Sequence, residues 1–218
     1  MALATLLISS KNYSSWSLRG FLLAKLSGIA FREEKISPDD RHIKDELLLR
    51  ASSILVPCLI DDGVSVWDTL AIAEYLNEKF PDAEMLPRNN VARARCRSIS
   101  GEMHSGFSAL RSSLPMNLRF HKSGFTIWSS AQVDIDRITT IWQECLTQWK
   151  GPFLFGPSPT IADCMYAPVV TRFKSYDVGL NLICQDYCKT ILAWEPMREW
   201  IEDAQSEPDG IVELDFEF

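Results

Sequence analysis

The sequence predicts an α/β layer in its first 80 residues and an all-helical remainder, and three observations carry that reading. The first stretch orders its signals as β-α-β-α-β-β-α, which fits a layered α/β unit with a mixed sheet. Residues 81–90 (PDAEMLPRNN) then hold two prolines and no hydrophobic period, as a linker does. Beyond them no strand signal stands out before the tail, and the clearest periodicity steps by three and four. The expected units are therefore 1–80 and 88–218.

Residues 3–8 (LATLLI) form an apolar run too short for a helix and followed by polar KNYSS, the pattern of a buried strand. Leu18, Leu22 and Leu26 recur every four residues from Trp16 to Ser27, and Gly28 follows as a stop, which predicts the first helix. Ile29 to Ile36 can form a second strand. The charged stretch 39–50, with Leu47, Leu48 and Leu49, suggests a short or irregular helix. VPCLI (56–60) and VSVW (64–67) flank Asp61-Asp62-Gly63, a hairpin with an Asp-Gly turn. A helix opens at Asp68, with Ile72, Leu76 and Phe80 on one face and Pro81 ending it.

In the second half Ile135, Ile138, Trp142, Cys145 and Trp149 mark an amphipathic helix with a bulky apolar face. Thr160 can cap a further helix while the Asp163 side chain reaches back to the cap N–H, a variant of the capping box that gives both residues a structural role. Residues 207–218 are acidic and aromatic, with no assigned element.

Composition narrows the function. Lys and Arg total 22 against 29 Asp and Glu, a formal net charge of −7, the wrong sign for a general phosphate-backbone binder. Nucleic acid is therefore not an expected partner. No apolar run reaches the roughly 18 residues of a membrane span, and MALATLLISS lacks the basic start of a signal peptide, so a soluble cytosolic protein without a membrane partner is expected. Cys58, Cys96, Cys145, Cys164, Cys184 and Cys188 are too scattered for a disulfide framework. Cys184 and Cys188 could share a helix face, but His42, His104 and His121 lie far off in sequence, and no metal site is assigned.

Four strings then stand in register along nearly the whole chain: NYSSWSLR (12–19), VPCL (56–59), WDTLAIAEYL (67–76) and TIADCMYAP (160–168). Together they resemble a cytosolic glutathione transferase of the serine type, nearest the zeta class. The resemblance implies a thioredoxin-like amino-terminal domain that holds glutathione as co-substrate, a helical domain that supplies the second-substrate pocket, and a homodimer. It places Ser14 on the catalytic serine, Ser15 on its neighbour and Trp16 on a cysteine of the zeta pattern, a departure that counts against zeta isomerase chemistry. Pro57 is implied to be cis, with the Val56 backbone turned toward the cysteinyl unit of glutathione. Asp68 and Thr69 match the pair that holds the γ-glutamyl end. Relatives carry a polar residue where this chain has Leu55, so one contact goes unfilled, and Met116 and Asn117 loosely match a segment lining the same cleft.

The chemistry suits these residue types. A thiol with a pKa near 8.5 is only slightly ionised at neutral pH, so the site must stabilise the thiolate. A serine hydroxyl at the amino end of a helix can donate to the sulfur where free N–H groups and the helix dipole also favour negative charge. The γ-glutamyl carboxylate has a seat of the same kind at the helix opening on Asp68-Thr69, with the Asp68 carboxylate left to meet the ammonium. Ser14, Ser15, Ser17 and Asp68 are equally good helix caps. Met103, Phe107 and Leu110 can line an apolar pocket or simply pack. Arg111, Arg119 and Arg172 can greet an acidic substrate or lie in solvent, and are left out of the site. The expected activity is a glutathione transferase adding the thiolate to a small apolar electrophile in a detoxifying role. The rivals are a glutathione-dependent isomerase of the zeta kind and a non-catalytic interaction module.

Overall fold

The computed structural model describes residues 3–36 and 55–207. The stretch 39–50, where a second helix is expected, lies outside these residues, as does the tail beyond Glu207. The strands are β1 (Ala4–Ile8), β2 (Phe31–Lys35), β3 (Cys58–Asp61) and β4 (Val64–Trp67). They form one sheet in the order β2-β1-β3-β4, with β1 parallel to β2 and antiparallel to β3, and β3 antiparallel to β4. Every residue of β1 is buried, as a mostly apolar run in an interior strand requires, with Thr5 its one polar member. Asp62 and Gly63 both have positive φ, 48° and 81°, the backbone of a type I′ hairpin turn.

Helices α1 (Ser15–Ser27) and α2 (Thr69–Lys79) pack on each other and on the sheet. α1 runs from the Ser14 cap to Gly28, its carboxyl-terminal cap. Gly20 is the point of closest approach: a Cβ there would stand 2.5 Å from Pro57 Cβ, so only glycine lets α1 reach the Val56–Pro57 bend, where the peptide bond is cis.

A 3₁₀ turn over Pro81–Ala83 breaks the expected linker, and Asn89 shortens it by capping the next helix through the Val91 and Ala92 N–H groups. The helical half comprises α3 (Asn90–Ser105), α4 (Ser108–Ser113), α5 (Ser129–Trp149), α6 (Ile161–Ser175), α7 (Leu182–Ala193) and α8 (Glu195–Ser206). Every α6 residue but Lys174 is buried, so it is the central helix, packed against α1, α3 and α7. Its amino end carries the expected capping box. The Asp163 carboxylate accepts from the Thr160 N–H (2.8 Å) and hydroxyl (3.0 Å) and also from the Leu154 N–H and the Tyr187 hydroxyl. Met103, Phe107 and Leu110 all belong to the core.

Candidate active site

A cavity of about 240 Å³ opens where the sheet layer meets α3. Its lining is Trp16 from α1, Leu55, Val56 and Pro57 from the bend before β3, Asp68 and Thr69 from the start of α2, and His104 from α3. Five residues expected in the site thus meet in one place although up to 53 positions separate them (69 − 16).

Asp68 does two jobs with one carboxylate. Oδ1 accepts from the Leu70 N–H at 2.8 Å, the cap expected from the sequence, while Oδ2 shares a 2.6 Å hydrogen bond with His104 Nε2. Its φ of 75° puts a non-glycine residue in a sparsely populated region, a cost that clusters at functional sites. Thr69 is 1% exposed, and its hydroxyl has no partner among the described residues. A buried hydroxyl left unpaired is costly, so a hydrogen-bonding ligand in the cavity suits it. Val56 and Asp68 line the same cavity, so an apolar residue and a carboxylate acceptor share it with this hydroxyl.

Ser14 and Ser15 stand just outside that lining. Half-buried Ser14 is the α1 cap: its Oγ accepts from the Ser17 N–H (3.2 Å), and its hydroxyl donates to Ser17 Oγ (2.9 Å). Ser15 is buried and its Oγ accepts from Arg172 Nη2 at 3.2 Å, a contact away from the cavity. Met116 and Asn117 are buried and do not line the cavity, whereas Leu55 lines it and is 63% exposed.

The arginines are placed otherwise than the sequence suggests. Arg172 is 5% exposed, with Nη1 donating to Leu114 O at 2.7 Å. Arg19 is fully buried; its Nε donates to Met165 O at 2.8 Å and its guanidinium lies 4.5 Å from the Trp16 ring centre. Arg111 lies 4.9 Å from the same ring, donates to the Met103 and His104 carbonyls, and keeps a buried Nε without a partner. Among the described residues none of the three forms an ion pair with a carboxylate. Burial, together with repulsion from the other arginines, pushes Arg19 well below the usual arginine range and Arg172 down to about 10. Arg119 is exposed yet bound to the Ala204 carbonyl.

His104 is the cavity residue the sequence reading missed, because its link to Asp68 spans 36 positions and follows no local pattern. Its ring packs edge-on to Trp16, with centres 5.2 Å apart.

Comparison with known proteins bears on the family and the fold. Residues 13–79 match the family model "Glutathione S-transferase, N-terminal domain" and residues 97–203 match "Glutathione S-transferase, C-terminal domain". The chain is 32% identical over 184 residues to the stringent starvation protein A homolog of Coxiella burnetii, covering 79% of this chain and 82% of that one. It is 27% identical over 168 residues to the probable maleylacetoacetate isomerase of Caenorhabditis elegans, 77% of each chain. The crystal structure of maleylacetoacetate isomerase from Anaeromyxobacter dehalogenans, with bound dicarboxyethyl glutathione and citrate, shares the fold at a TM-score of 0.66, with 24% identity over 97% of this chain and 96% of that one. The chain belongs to the glutathione transferase family.

Proposed function

We propose that the protein binds glutathione with its γ-glutamyl end on Asp68 and Thr69 and its cysteinyl unit against Val56, and that Ser14 activates the thiol for addition to a small electrophile. The observation that carries this is the convergence of Trp16, Val56, Pro57, Asp68 and the orphaned Thr69 hydroxyl on one cavity. For Ser14 to act, its hydroxyl turns from Ser17 Oγ to the sulfur. The thiol proton leaves to solvent, the hydroxyl donates to the thiolate, and the positive end of α1 favours the same charge. The sulfur–carbon bond then forms as the electrophile's leaving group departs with its electron pair, or as its double bond opens and the adduct takes a proton from solvent. Trp16, Leu55 and Pro57 offer an apolar wall for such a substrate.

A second reading, the glutathione-dependent isomerase, is favoured by Arg19, Arg111 and Arg172. None of these guanidinium groups lines the cavity itself, but two stand 4.5 and 4.9 Å from the Trp16 ring centre. None has an ion-paired carboxylate among the described residues, which suits a substrate bearing carboxylates, and one relative is a probable maleylacetoacetate isomerase. There the thiolate adds to a cis double bond, the resulting single bond rotates, and elimination returns the thiolate. Trp16, standing where the zeta pattern has cysteine, counts against this reading and leaves it second.

Glutathione calorimetry with two turnover assays tests both readings. Binding with turnover of a chlorodinitrobenzene supports the transferase. Binding with conversion of a cis-configured dicarboxylic enone, and not of the aryl chloride, supports the isomerase. Absence of glutathione binding leaves an interaction module.

The proposed unit boundaries, 1–80 and 88–218, are supported by the described strands all preceding residue 80 and α3 opening at Asn90. We place the enzyme in the cytosol in a detoxifying role. Its six cysteines are free, and no described helix is long and apolar enough to cross a membrane. A homodimer is supported by exposed Val64 and Trp67 on edge strand β4 and by Val91 at the start of α3, and light scattering on the eluting protein tests it.

A further inference from the structure

The turn between β1 and α1 is gripped by one face of α8 and by Glu207, the residue that caps it, with the Trp200 contact spanning 189 positions of the chain. Trp200, Asp203, Ala204 and Glu207 recur at helical spacing, and each binds this turn or a residue that holds it. Trp200 Nε1 donates to Lys11 O at 2.9 Å, and Lys11 Nζ pairs with Asp203 at 2.6 Å. Arg119, whose backbone N–H donates to Asn12 Oδ1 at 3.1 Å, donates through its guanidinium to the carbonyls of Ala204 and Glu207.

The densest contacts are those of the Glu207 carboxylate. Oε2 accepts from the Ser10 hydroxyl at 2.8 Å and the Asn12 N–H at 3.2 Å, and Oε1 accepts from the Lys11 N–H at 2.8 Å and Lys35 Nζ at 2.7 Å. Ser10 passes the constraint on. Its Oγ accepts from the Asn12 and Tyr13 N–H groups, and its carbonyl accepts from the Ser14 N–H at 3.0 Å. Burial raises the Glu207 carboxyl, but Lys35 and the turn's own donors outweigh it and hold the group below the ordinary carboxylate range, so the grip is charge-assisted at neutral pH.

We propose that Glu207 is a positioning residue for Ser14. Its carboxylate fixes the Ser10–Asn12 turn, which sets where the Ser14 hydroxyl stands at the mouth of α1, so a helix of the second half tunes the thiolate site of the first. The inference rests on the reading of Ser14 as the thiol activator. A misplacement of about 1 Å in a catalytic group can cost on the order of a hundredfold in rate, which makes a remote anchor of this kind visible in kinetics.

Glu207→Ala, Glu207→Gln and Ser10→Ala are compared with wild type and with Ser14→Ala. Titration of bound glutathione by thiolate absorbance, steady-state kinetics and melting temperature are the readouts. Glu207→Ala should move the apparent pKa of the bound thiol toward that of free glutathione and lower kcat roughly ten- to a hundredfold, with KM for glutathione within about twofold. Glu207→Gln, which keeps acceptor oxygen, should recover part of the loss. Ser10→Ala, a small deletion that spares the fold, should shift the thiol in the same direction. If Ser14→Ala moves the thiol pKa while the Glu207 and Ser10 variants keep it at wild type, whatever their melting temperatures, the positioning role is overturned and the Ser14 reading stands. If Ser14→Ala leaves it unmoved, the Ser14 reading fails and the positioning role falls with it.

Discussion

Ser14 and Asp68 each cap a helix, and each is proposed to meet glutathione as well, so substitutions there have to separate the two. Ser14→Ala removes the α1 cap as well as the donor, and should cost about 1 kcal/mol of stability while lowering kcat on the order of 10²–10³. The rate loss should shrink at high pH, where the thiol ionises without help. A mutant pH–rate profile parallel to wild type would remove the thiolate-stabilising role. Asp68→Asn isolates the ligand role, because asparagine caps about as well and can still accept from the Leu70 N–H. Stability should hold, while the lost charge weakens glutathione binding about tenfold, the lower end of a charged hydrogen bond because the half-buried Asp68 carboxylate is still partly open to solvent. Equal affinities by calorimetry would leave Asp68 as a cap alone. That Asp68 could do either was legible, since acid and threonine at a helix start fit both. The bond to His104 was not, because it is made by α3.

Local elements were read well where one short-range rule decides them. The buried strand β1, the Asp-Gly hairpin and the Thr160–Asp163 box each follow from two to six neighbouring residues. Gly20 was invisible because its reason is Pro57, 37 positions on (57 − 20). Gly20→Ala should force α1 off the Val56–Pro57 bend, costing about 1–3 kcal/mol by overpacking and weakening glutathione through the displaced cavity wall. An unchanged melting temperature and Kd would contradict that packing. At the start of α6, burial pushes the Asp163 carboxyl up to about 6 from an ordinary 3.8, against the pull of its hydrogen bonds to Leu154, Thr160 and Tyr187. A carboxyl raised on folding adds stability below pH 4 and loses it as pH climbs toward 6, a swing of about 3 kcal/mol. Asp163→Asn has no such titration. Denaturant unfolding from pH 4 to 6 should therefore show wild type losing stability relative to the variant. A constant difference would mean that Asp163 is ionised at its ordinary pH when folded.

Charge is sorted across the fold in a way that composition hides. The chain as a whole carries −7, yet Arg19, Arg111 and Arg172 gather around Trp16 and Ser15 with no ion-paired carboxylate among the described residues. Read one at a time in sequence, each passes for a surface group. Contacts spanning 146 and 157 positions, such as Arg19 to Met165 and Arg172 to Ser15, bring them together. Buried like charges in one neighbourhood destabilise the folded state, so an anion that binds them should stabilise it by mass action. At a concentration of 100 times its Kd a ligand adds about 2.7 kcal/mol, which for a chain of this length raises the melting temperature by several degrees. A short dicarboxylate should therefore raise the melting temperature more than a monocarboxylate of equal ionic strength. The rise should fall with added salt and vanish in Arg172→Met, which keeps an apolar chain of similar length in the buried position. Equal shifts from both acids, or a shift that survives in Arg172→Met, would mean that these arginines are structural and that the isomerase reading has lost the observation favouring it.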